Sequence, residues 1–176
     1  MRRLRYEVTT SLDGFIAGPN GEYDWIVQDP AVDFVAMWAQ FDTLLMGRKT
    51  YEVAKTMRNA FSGSADRWIV VSNTLKPKEH RDVEIVTGNL PSFVAELKAQ
   101  PGKDIWLMGG GVLFRALLDA GLVDIVELSV MPVVLGCGIP LLPEGGRRRL
   151  HLEESKALPS GILRLKYSVE PESAGT

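Results

Sequence analysis

Three short, wholly apolar runs, each closed by glycine or small polar residues, constrain this chain more than any other feature. Thr43-Leu44-Leu45-Met46 runs into Gly47, Trp68-Ile69-Val70-Val71 into Ser72-Asn73, and Ile105-Trp106-Leu107-Met108 into Gly109-Gly110-Gly111. Runs this short with no polar face are strands buried on both sides, and such strands belong to parallel sheets covered by helices. Helix-compatible segments lie between them. Arg48 to Met57 follows the first run. Pro91 opens a segment carrying Phe93, Val94 and Leu97 that Pro101-Gly102 closes, and Val112 to Ala120 follows the third run before Gly121. A glycine just past a helix is a common stop, because it accepts the left-handed conformation there.

The remaining segments complete the pattern. Leu4, Tyr6 and Val8 alternate with Arg5, Glu7 and Thr9, a period of two that predicts a strand. Asp13-Gly14 and Gly18-Pro19-Asn20-Gly21 are turn clusters. Asp29-Pro30 reads as a helix cap followed by proline at the first helical position, and Val32, Val35, Ala36 and Ala39 keep helical spacing to about Phe41. Asn59 to Asp66 is small and polar, hence a loop. Val83 to Val86 and Asp124 to Val130 are further strands. Leu150 to Lys156 and Ile162 to Val169 alternate, as two antiparallel strands with one exposed face would. The predicted class is α/β, a mostly parallel central sheet with helices on both faces and an antiparallel C-terminal edge. Residues 1–170 form one domain, and residues 171–176 a frayed tail.

Composition narrows the function. The chain has 176 residues, enough for a core without staples, and Lys plus Arg total 20 against 22 for Asp plus Glu. A net charge of -2 argues against nucleic acid and anionic membranes as partners. The single cysteine, Cys137, permits no intramolecular disulfide, and with no acid or base beside it reads as a small filler. Leu4 to Gly18 contains Glu7 and Asp13 and no apolar core, so no signal peptide is expected, and a cytoplasmic location follows. No stretch approaches the roughly 18 apolar residues of a membrane helix. His80, in a charged turn, and His151 read as surface residues.

In parallel sheets, ligands collect beyond the C-terminal ends of the strands. Gly47-Arg48-Lys49-Thr50 and Gly109-Gly110-Gly111 are both strand, glycine, helix junctions. A helix start offers unpaired N–H groups to an anion, and glycine lets the anion approach. Arg48 adds a planar fork and Thr50 a hydroxyl. Two such turns suit a pyrophosphate-bearing ligand. The third turn, Ser72-Asn73-Thr74, holds no acid and has Lys76 nearby. An acid at such a place favours a ribose 2′-hydroxyl, whereas hydroxyls, an amide and a lysine accept a 2′-phosphate, which favours NADPH over NADH.

Ser11-Leu12-Asp13-Gly14-Phe15-Ile16-Ala17, Leu45-Met46-Gly47-Arg48-Lys49-Thr50-Tyr51, Val71-Ser72-Asn73-Thr74 and Met108-Gly109-Gly110-Gly111 resemble, in this order, the dihydrofolate reductase-like superfamily. The reductase domain of bacterial riboflavin biosynthesis and its stand-alone relatives are the most similar branch. The resemblance covers Leu4 to about Val169. It implies a three-layer α/β/α sandwich and a homodimer, with the loop from Met131 to Gly138 contributing to the contact. It implies that Thr9, Ile16 and Ala17 approach the nicotinamide of NADPH. Arg48, Lys49 and Thr50 would hold phosphates beside Gly47, and Ser72, Asn73 and Thr74 would lie at the 2′-phosphate. Met108, Gly109, Gly110, Gly111, Val112 and Leu113 would pack along the cofactor. Gly18 to Trp25 would be a lid, with Trp25 and Ser129 facing a small-molecule substrate, a riboflavin precursor or a pterin. Asp33 is the candidate catalytic carboxylate, and a helix-stabilising role for it stands beside that one. One cysteine cannot supply the zinc deaminase motifs to which this reductase is often fused, so any riboflavin role is the reductase step alone. A nucleotide-binding module without turnover is the alternative.

Overall fold

A computed structural model of the chain describes residues 1–57, 65 and 67–171. Ten strands are described: β1 (Leu4–Ser11), β2 (Phe15–Ala17), β3 (Phe41–Gly47), β4 (Arg67–Val71), β5 (Glu84–Val86), β6 (Asp104–Gly109), β7 (Ile125–Met131), β8 (Ile139–Pro140), β9 (Leu150–Ala157) and β10 (Leu163–Val169). Four α-helices join them: α1 (Phe34–Trp38), α2 (Arg48–Thr56), α3 (Leu90–Ala99) and α4 (Gly111–Asp119). Eight strands form one sheet in the order β5-β4-β3-β6-β1-β7-β10-β9. Strands β5 through β7 in that order run parallel, and β10 and β9 close the edge antiparallel. The short β2 and β8 pair separately.

The three apolar runs became β3, β4 and β6 because neither face of those strands meets water. One face packs Leu4, Tyr6, Leu45, Ile69, Ile105 and Leu107 against Val94 and Leu97 of α3 and Phe114 and Leu117 of α4. Tyr6 stacks on Phe114 with ring centroids 3.8 Å apart. The other face packs Leu44, Met46, Trp68, Val70 and Trp106 against Tyr51 and Ala54 of α2 and Met37 and Trp38 of α1. The result is three layers, α/β/α. A third, smaller cluster of Met131, Leu158 and Ile162 takes in Trp25, Ile26 and Val32.

The first helix differs from its expected bounds. It begins at Phe34, not after Asp29, and ends before Phe41, which is strand. Asp29 does accept from the Ala31 amide at 2.7 Å, but its other oxygen accepts from the Ser160 amide at 3.0 Å. The aspartate therefore pins a loop to the β9–β10 connection instead of starting a helix. The cap is Asp33, whose Oδ1 accepts from the Ala36 amide at 2.9 Å. Neither β2 nor β8 was expected. Cys137 is exposed instead of filling space. His80 is half-buried, its Nδ1 lying 3.2 Å from the Tyr51 hydroxyl, while His151 is exposed as expected. The expected loop from Asn59 to Asp66 and the tail beyond residue 171 fall largely outside the described residues. Among the described residues, no helix is long and apolar enough to cross a membrane.

Candidate functional site

Because β4, β3 and β6 are neighbours and parallel, the turns that follow them share one rim of the sheet. Gly47 and the triple glycine are close enough that a Cβ on Gly47 would lie 3.9 Å from the Gly109 carbonyl oxygen and 4.0 Å from the Gly110 nitrogen. The helices that leave these turns, α2 and α4, have Gly47 and Gly110 as caps, with no side-chain cap and no acid in the first turn. Their first N–H groups are thus left to water or to an anion, with the positive helix ends behind them.

The three glycines differ in their surroundings. Gly109 has φ +135, which L side chains rarely adopt. At Gly111 a Cβ would sit 2.9 Å from both the Pro140 and Leu141 carbonyl oxygens, so packing against the β8 segment requires glycine. Gly110 has φ -93, and a Cβ there would meet only the Thr50 hydroxyl at 3.7 Å. Gly110 also forms a cis peptide bond with Gly109 and caps α4.

The candidate residues divide between exposed and engaged. Lys49, Asn73, Thr74 and Val112 are exposed at the rim, and Arg48 and Thr50 are partly so. Arg48 rests on Glu52 at 2.7 Å, an exposed pair that a ligand phosphate can displace at small cost. Ser72 is buried, and its Oγ accepts from the Thr74 and Leu75 amides at 3.2 and 3.1 Å. It shapes the turn that presents Asn73 and Thr74. Met108 packs beneath the rim beside Tyr51, and Leu113 is buried. Ile16 and Ala17 lie on β2, above the end of β1, where the Thr10 hydroxyl donates to the Phe15 carbonyl at 3.1 Å.

On the substrate side the expectations need more revision. Trp25 anchors its loop, packing on the Met131 cluster and donating to the Glu22 carbonyl at 3.1 Å. The segment expected to be a mobile lid is tied at its base, with the Gly18 amide donating to the Glu22 carbonyl at 2.8 Å. Thr9 and Ser129 are cross-strand partners and point to the α1 face. One pair earlier on that face, Glu7 faces Glu127. These two form the floor of a cavity of about 340 Å³ roofed by Ala31, Asp33, Ala36 and Met37.

The electrostatics of the floor are uneven. Arg5 donates to Glu127 Oε2 from Nε at 2.9 Å and Nη2 at 2.6 Å, and to Gln40 at 2.7 Å. Glu127 is therefore satisfied. Glu7 receives only Arg164, at 3.3 Å on Oε1, and its buried Oε2 has no partner among the described residues. Burial pushes the Glu7 carboxyl up to about 7, with the Glu127 charge adding to it and Arg164 opposing. The sequence shows this group only as an acid in the alternation of β1. A carboxyl on an interior strand of a covered sheet was the available signal, since such positions rarely hold charge.

Comparisons with known proteins agree with this architecture. The family model of the RibD C-terminal domain matches residues 2–164. The Bacillus subtilis (strain 168) protein YyaP is 34% identical over 177 residues, covering 94% of each chain. A Shewanella sp. PV-4 protein ascribed to riboflavin biosynthesis superposes with a TM-score of 0.83 at 29% identity, covering 96% of this chain and 99% of that one. Dihydrofolate reductase from Enterococcus faecalis, complexed with NADP(H), superposes with a TM-score of 0.67 at 17% identity over 96% of this chain and 97% of its own. The last likeness is one of fold, and the three-layer sheet described above is the dihydrofolate reductase-like one. With nearly its whole length matched, this chain belongs to the RibD C-terminal domain family.

Proposed function

We propose that the chain is a reductase that uses NADPH to reduce a small nitrogen heterocycle of the riboflavin-precursor or pterin type. The observation that carries this reading is the pair of uncapped helix starts, at Gly47 and Gly110, set side by side on one rim. The pyrophosphate of NADPH fits those two starts, with Gly47, Arg48, Lys49 and Thr50 on one side and Gly109, Gly110, Gly111 and Val112 on the other. Asn73, Thr74 and Lys76 suit the 2′-phosphate, since the turn they occupy has no acid to repel it. Thr9, Ile16 and Ala17 border the place for the nicotinamide. The cofactor supplies hydride; the protein supplies position and exclusion of water. The cavity roofed by Asp33 lies one strand step from Thr9, about 7 Å by strand geometry, and is the substrate slot. Family membership and the likeness to the Shewanella protein support a reductase-type role.

A screen of NADPH absorbance against dihydropterins and ribosylaminopyrimidines tests this. Consumption of NADPH with at least one of them is expected. Cofactor binding without consumption by any would leave a binding module in place of an enzyme, and would overturn the reading.

A further inference from the structure

Among the described residues, Glu7 is the acid of the substrate slot that has a buried carboxyl oxygen without a partner. It is 8% exposed, and its Oε2 is sealed from water without a partner among the described residues. A buried polar atom left bare costs about 1–3 kcal/mol unless a ligand or water supplies the partner. Asp33, across the slot, is already spent on the α1 amide. The residues around Glu7 fix which kind of partner fits. Arg5 is committed to Glu127, Gln40 and Asp104. Glu127 stands opposite on β7, and Arg164 reaches only Oε1. Lys166 sits between Glu127 at 4.0 Å and Glu153 at 3.7 Å, while Glu154 and Lys156 line the outer lip with no histidine among them.

We propose that Glu7, as the neutral acid, is the residue that selects the ligand of this slot. Rotation about the terminal carboxyl bond brings the protonated oxygen from its sealed position to the slot, where it donates to a carbonyl oxygen or sp2 ring nitrogen of an uncharged planar ring. A second ionised carboxyl beside Glu127 would be repelled, whereas a protonated one needs an acceptor that none of the described residues offers. The walls suit a ring. Ala36 and Met37 present apolar surface above this polar floor, and about 340 Å³ admits a single or fused six-membered ring. The elevated titration of Glu7, caused first by burial, agrees with this form near neutrality. The inference rests on reading the cavity as a substrate slot and adds to it the residue and the polarity of recognition.

The probe is uracil, followed by ligand-detected NMR with wild type, Glu7→Gln and Glu7→Leu. Wild type should bind in the millimolar range and weaken about tenfold or more between about pH 6 and about pH 8.5. Glu7→Gln keeps an N–H donor at the same place and should bind with little change over that range. Glu7→Leu should lose about tenfold at the lower pH. Leucine binding as well as wild type, a glutamine variant with the wild-type pH profile, or no uracil binding by wild type at about 10 mM overturns the proposal. If the leucine variant fails to fold, the pH comparison of wild type with glutamine decides alone. NADPH binding to the same samples, read by tryptophan fluorescence, reports separately on the reductase reading. Its loss would sink that reading, whereas its persistence beside a failed uracil arm would sink only the role of Glu7.

Discussion

Replacing Glu7 with glutamine should stabilise the folded protein above neutral pH and change it little in acid. The wild-type carboxyl moves from its ordinary 4.5 up to about 7 on folding, because burial and Glu127 disfavour its charge. The native state thus holds a proton that the unfolded chain gives up first. Its contribution is fully present below pH 4.5 and is lost as pH rises through about 7. The deficit is about 1 kcal/mol at about pH 5 and about 3 kcal/mol at about pH 8. Glutamine has the shape of the neutral acid and cannot ionise, so it escapes the deficit. Urea unfolding of both proteins at the two pH values measures the difference, and subtraction cancels groups that titrate alike in both. The variant should gain about 2–3 kcal/mol on wild type between those pH values. A gap that does not change with pH, or one that favours wild type at the higher value, would refute the description of a carboxyl without adequate partners.

Other substitutions separate the roles of neighbouring residues. Gly111→Ala should lower stability by about 1–3 kcal/mol in urea unfolding, because the new Cβ meets two carbonyl oxygens 2.9 Å away. Arg48→Ala should weaken NADPH by about 1.5–3 kcal/mol without altering Tm, since among the described residues its partner is the exposed Glu52. Leu117→Ala, fully buried between α4 and the sheet, should cost about 2–5 kcal/mol of folding stability by the same unfolding assay.

The rim was legible in the sequence because its signals are local. An apolar run, a glycine and a helix follow one another within a dozen residues, and parallel topology brings the ends of such units together. What the sequence hid depends on contacts between distant segments. Asp29 has the chemistry of a cap and a proline after it, but the Ser160 amide, brought near by the β9–β10 turn, claims its second oxygen. The pairing of β2 with β8 joins segments more than a hundred residues apart, each too short to show a period. That the Ser72 hydroxyl also closes its own turn shows only in the folded chain. The Glu7–Glu127 floor was the least visible, because one-dimensional alternation marks two faces without saying that the polar face of β1 is covered by α1.

The most direct measurement is a pair of titrations, NADPH and NADH, against the fluorescence of the four tryptophans. We expect saturable quenching by NADPH below about 1 mM, with NADH at least about tenfold weaker for want of the 2′-phosphate. Equal binding of the two would remove Asn73, Thr74 and Lys76 from the site. Binding of neither would contradict the assignment of the glycine rim to a phosphorylated dinucleotide.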